Sequence, residues 1–135
     1  MHVRPFKSSW RLGLGGVAGA LLLSACGGGL YLGFDDFDDN PPRVDVAVDP
    51  TSAQAGQSVR VIASASDDES GVDWVYFYRL DDNLAVRIGD DGRAPYEATM
   101  LVPSDGRSSV RVFARAYDFA GNRADSAVVT LTVTP

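Results

Sequence analysis

From Val44 to the end of the chain, apolar and polar residues alternate with a period of two, and no stretch there repeats at three to four. That alternation is the signature of strands with one buried face, and it leaves little room for any helical architecture. Val44, Val46 and Val48 alternate with polar or small residues until Pro50 stops the run. After a Gly56-Gln57 turn, Val59, Val61, Ala63 and Ala65 form a second inward set. Val72 to Leu80 predicts a third strand, β-branched and aromatic, bounded by Ser70-Gly71 and Asp81-Asp82-Asn83. Leu84 to Ile88 predicts a short strand ended by Gly89, and Tyr96 to Val102 another ended by Pro103. Val110 to Tyr117 and Ala127 to Thr134 complete about seven strands at the spacing of an all-β antiparallel sandwich.

Several of these residues also resemble a known family. Ala65-Ser66-Asp67-Asp68-Glu69-Ser70-Gly71-Val72 leads into Val75-Tyr76-Phe77-Tyr78, and Ala94-Pro95-Tyr96 follows. Ala114-Arg115-Ala116-Tyr117-Asp118-Phe119-Ala120-Gly121-Asn122 is the most specific piece. With these, residues 44–135 resemble a bacterial Ig-like domain, of the kind found in tandem in surface proteins and singly in lipoproteins. The resemblance implies an Ig-like sandwich with Val75 and Phe77 as its inward pair, and no single function. It departs from antibody domains in lacking both core cysteines, so packing alone has to hold the sheets together. A domain of about 90 residues buries a little over 60% of its unfolded surface, so core deletions should be felt.

The N-terminal segment has a different pattern. Arg4, Lys7 and Arg11 precede an apolar run from Leu12 to Leu23, followed by Ser24, Ala25 and the chain's only cysteine, Cys26. The run is too short and too rich in glycine for a spanning helix, which needs about 20 predominantly apolar residues, and it fits a cleaved signal. Leu23-Ser24-Ala25-Cys26 resembles the lipobox of bacterial lipoproteins. The resemblance implies residues 1–25 as signal peptide and Cys26 as the site of a diacylglycerol thioether and N-terminal acylation. Two or three acyl chains make a stable anchor where one holds only marginally. Residues 26–43, with Gly27-Gly28-Gly29, four aspartates and Pro41-Pro42, predict a flexible linker, of which residues 27–42 reach roughly 55 Å at about 3.3 Å per residue. The expected location is the cell envelope, lipid-anchored at the outer membrane in a two-membrane cell because Gly27 rather than Asp follows the cysteine.

Removal of residues 1–25 would take away His2 and Lys7, leaving nine arginines against eighteen acids, a formal charge of −9. Such a surface repels nucleic acid unless its arginines are segregated. Without histidine, lysine or a free thiol the usual nucleophile and base pairs cannot be built, nor can zinc sites made of histidine and cysteine. A non-enzymatic role is expected.

Two places can act. In an Ig-like order, the loops carrying Asp67, Asp68 and Glu69, then Asp90 and Asp91, then Asp118 with Asn122, emerge at one pole. Six acids there offer the hard oxygens that calcium takes, against the competing reading that these residues serve turn chemistry. The second place is a sheet face. With Val75 and Phe77 inward, Trp74, Tyr76 and Tyr78 project outward, joined by Arg111, Phe113, Arg115 and Tyr117 from the neighbouring strand. Interfaces are enriched in Tyr, Trp and Arg, although such residues also simply suit a pleated surface. The expected function is a membrane-tethered docking or adhesion module whose partner is another envelope protein or a polysaccharide. The alternative is a module that binds calcium or a glycan.

Overall fold

The computed structural model describes residues 37–135, in which every regular element is a strand. The chain runs β1 (Arg43–Asp49), β2 (Ser52–Gln54), β3 (Ser58–Ser66), β4 (Val72–Asp81), β5 (Leu84–Asp91), β6 (Tyr96–Leu101), β7 (Ser109–Asp118), β8 (Arg123–Asp125) and β9 (Val129–Thr134). One sheet has the order β1-β3-β6 and the other β2-β9-β7-β4-β5, with β8 added to β7. The architecture is a two-sheet β-sandwich, as the alternation predicts, with the Ig-like arrangement that the resemblance implies.

Period-two patterning fixes the inner faces. Val59, Val61 and Ala63 of β3 lie opposite Val75 and Phe77 of β4, with Val110, Val112, Ala114 and Ala116 of β7 and Leu131 of β9, all in one buried cluster. Phe77 is fully buried, at 0% exposure, and is the largest side chain so enclosed. No disulfide is available within residues 37–135, which hold no cysteine.

Several boundaries differ from the sequence expectation. Two strands, β2 and β8, were not expected, because three residues carry no readable period. The sandwich is not wholly antiparallel: the chain changes sheets after Pro50, and β2 pairs parallel to β9. Gly89 does not end β5, which continues to Asp91 after accommodating one extra residue at Ile88. Ala127 lies before β9, because Ser126 holds this stretch to Ala114: Ser126 N donates to the Ala114 carbonyl and Ala114 N donates to Ser126 Oγ. The end of the expected linker also belongs to the domain. Phe37–Pro135 forms one compact unit, Pro42 is buried, and Arg43 opens β1. The signal segment and Cys26 lie outside the described residues.

Candidate docking face and acidic pole

β4 and β7 pair antiparallel with Tyr78 opposite Phe113, Tyr76 opposite Arg115 and Trp74 opposite Tyr117. Opposed residues share a face, so the outward residues of both strands form one ladder. Tyr78 stacks on Phe113 with centroids 5.0 Å apart, and Tyr76 meets Tyr117 edge to face at 5.5 Å. Arg115 lies over Tyr78 at 5.6 Å and over Phe113 at 5.9 Å. Asp125 of β8 fixes that guanidinium through two bonds of 2.5 and 2.8 Å, and Arg115 holds Asp125 below the usual carboxylate range. Arg87 of β5 lies over Tyr76 at 4.3 Å and pairs with Asp90. Aromatic pairs add about 0.5–1.5 kcal/mol beyond burial and exposed cation–π contacts about 0.5–1 kcal/mol, enough to order the face.

Two members of the expected face are placed differently. Phe113 projects outward but is only 7% exposed, sealed by Tyr78 and Arg115, so it supports the surface rather than forming it. Arg111 leaves the ladder, its guanidinium donating to the Asp82 carbonyl in the β4–β5 turn at 2.6 Å. Two residues belong to the face that the outward lists of β4 and β7 omit. Arg87 could have been found by laying β5 against β4 through the Asp82-Asn83 turn, which sets it opposite Tyr78. Phe119, 70% exposed, sits in a loop and carries no periodic signal. Together Trp74, Tyr76, Tyr117 and Phe119 line an open depression of about 580 Å³.

Trp74 itself is 38% exposed and fixed. Its Nε1 donates to Asp90 at 2.9 Å, and its ring lies so close to Gly92 that a Cβ there would come within 2.3 Å of it. Arg87 first, then Trp74, lowers the Asp90 pKa.

At the pole, only part of the expected acidic set converges. Asp67 and Asp118 come together, and the third member is Asp38, with one carboxylate oxygen from each lying within 4.8 Å of the others. These three are the described residues placed to hold a cation, and hard oxygens are what calcium accepts. All three carboxylates already accept hydrogen bonds. Asp67 takes Gly71 N at 2.8 Å and Glu69 N at 3.1 Å. Asp118 takes Asn122 N at 2.7 Å and Asn122 Nδ2 at 2.9 Å. Asp38 takes Asn40 N at 2.9 Å and Ser70 N at 3.2 Å, and bonding with Ser70 holds it below the usual carboxylate range. Asn122 Nδ2 also donates to the Asp38 carbonyl at 2.7 Å, fastening the entering chain to the β7–β8 turn.

The remaining acids stay outside this cluster. Asp68 is exposed, and Glu69 accepts from Asn40 Nδ2 at 2.7 Å. Asp90 belongs to Trp74 and Arg87, and Asp91 accepts from Arg93 N and Glu97 N. β5 ends beside Trp74 rather than beside Asp67, which separates Asp90 and Asp91 from the other loops.

Among solved structures, the fibronectin(III)-like modules of CbhA from Clostridium thermocellum are similar at 25% identity and a TM-score of 0.51, over 65% of this chain and 93% of that one. The SrpA adhesin from Streptococcus sanguinis, crystallised as a mutant, aligns at 21% identity and a TM-score of 0.45, over 72% of this chain and 59% of that one. No curated protein matches the chain. The family described as bacterial Ig domain matches residues 44–112, from the first core valine through the middle of β7. With the sandwich, its inward valines and that match over more than half its length, the chain belongs to the bacterial Ig domain family.

Proposed function

We propose that this chain is an envelope lipoprotein, held to its membrane by acyl chains on Cys26, whose Ig domain docks another envelope protein through the outer face of β4 and β7. The observation that carries this reading is the pre-ordered ladder of Trp74, Tyr76, Tyr78 and Tyr117, pinned by Arg87 and Arg115. An antiparallel sheet needs to bury only one face. Fixed aromatic side chains lose little conformational entropy when a partner covers them.

A photo-crosslinking residue placed at Tyr76 or Tyr117 in intact cells should give a discrete adduct, which Arg115→Glu weakens. The same probe at Thr99, exposed on the other sheet, should give none. No adduct, or equal adducts from both faces, would reject the docking reading, and an adduct with polysaccharide would replace the protein partner. The anchor is tested separately: Cys26→Ser should release the protein from the membrane fraction.

A further inference from the structure

Among the described residues the two sheets present five outer strands: β1 and β6 in one, and β2, β5 and β8 in the other. An outer strand offers a row of unpaired N–H and C=O groups to any other strand, and proteins blunt it with charge, proline, brevity or a bulge. Four of the five are blunted here. β1 exposes Arg43, Asp45 and Asp49 and is bracketed by Pro41-Pro42 and Pro50. β6 holds Glu97 between Pro95 and Pro103. β2 and β8 have three residues each.

β5 is different. It has eight residues and no proline, and it pairs with β4 on one side only. Its first five residues, Leu84-Ala85-Val86-Arg87-Ile88, carry one charge, and Leu84 is 68% exposed. The extra residue at Ile88 falls at the end of this stretch. Beyond it the strand presses against the other sheet, where a Cβ on Gly89 would stand 2.8 Å from the Ala98 Cβ. Residues 84–88 therefore form a free, apolar edge of the larger sheet.

We propose that residues 84–88 of β5 pair antiparallel with the same segment of a second copy of this chain, about a two-fold axis at Val86. The segment's own complementarity selects a second copy. In this register Val86 faces Val86, Leu84 faces Ile88 of the second copy, and Ala85 faces Arg87 of the second copy. Apolar side chains then meet apolar ones, and the single cation lies along a methyl group. Centring the axis on Arg87 would set like charges directly opposite, which is destabilising. Two of the acids bordering the edge are paired within the chain, Asp81 with Arg79 and Arg107, and Asp90 with Arg87. A closed two-fold contact of this kind needs no further partner. Trp74 and Tyr117 lie toward the other end of β4, away from this edge.

The Phe37–Pro135 unit contains the whole core and no cysteine, so it can carry a single introduced thiol. In sedimentation, its mass should rise to that of a dimer with concentration. Val86→Cys should oxidise to a disulfide-linked dimer roughly tenfold faster than Thr99→Cys on the β6 edge, because only the axial position brings two Cα atoms within bridging distance. Val86→Lys should abolish the dimer, and mixing Val86→Lys with Val86→Glu should restore a mixed one. A fragment that stays monomeric at millimolar concentration would overturn the proposal. So would Val86→Cys crosslinking no faster than Thr99→Cys, or a Val86→Lys variant that dimerises like the parent.

Discussion

Trp74 and Asp90 are joined between β4 and β5, the indole N–H donating to the carboxylate at 2.9 Å. Because Asp90 also pairs with Arg87, and Arg87 covers Tyr76, one carboxylate sets the positions of two outward aromatic side chains. The outer face is therefore a connected surface rather than a row of independent rings.

Gly92 is the weak point of that arrangement. Gly92→Ala would place a methyl carbon inside the Trp74 ring contact, at 2.3 Å, and the indole must move away from Asp90 to admit it. In the Phe37–Pro135 unit Trp74 is the only tryptophan, so its emission reports the move directly. A red shift with less than about 1 kcal/mol change in stability is expected, since an exposed polar contact contributes little to folding. An unchanged spectrum would show that the ring is not held as described.

Phe77 is the opposite case. Phe77→Ala removes the largest fully buried side chain from a core with no disulfide behind it, and should cost about 3–5 kcal/mol. Denaturant titration measures this, and a loss below about 1 kcal/mol would mean that the sheets close over the gap.

Stability should fall with acid in a defined window. Arg79 and then Arg107 hold Asp81 at about 2, and Arg107 holds Asp105 at about 2, against an ordinary 3.8. Because the folded pKa values are depressed, the unfolded chain binds more protons below pH 4. The stabilisation is present above that value and is lost as pH falls toward 2. Melting temperatures should be nearly flat from pH 8 to 5 and drop below 4. Arg107→Gln should make that drop shallower; an equally steep drop would place the acid sensitivity elsewhere.

Calcium at millimolar levels should raise the melting temperature of the Phe37–Pro135 unit by less than a few degrees. Asp38, Asp67 and Asp118 already accept backbone or side-chain N–H groups, so a cation would have to compete with bonds the turns depend on. A large, saturable rise lost in Asp67→Ala would contradict this.

The inward residues were legible because β3 and β7 keep a period of two over nine and ten residues, as does β4 from Trp74 onward. Where the period breaks, the sequence is silent. Asp73 is an extra residue in β4 relative to β7, which lets Val72 pack against the core although it shares parity with the outward Trp74. The pairing of Tyr78 with Phe113 was readable from two parities, but the burial of Phe113 was not, because it depends on how Tyr78 and Arg115 settle over it. Asp38 escaped notice for the same kind of reason. It lies 29 residues before Asp67 in an acidic stretch, and its docking depends on the side chain of Asn122, more than eighty residues later.

Iodide quenching of Trp74 in the monomeric Phe37–Pro135 unit tests most directly whether β4 presents its aromatic side chains outward. At 38% exposure Trp74 should be quenched by iodide, and Tyr76→Ala should increase the quenching by opening the neighbouring surface. Blue-shifted emission that iodide cannot reach would mean that β4 is inverted, with Trp74 in the core and Phe77 outside, and the docking face would fall with it.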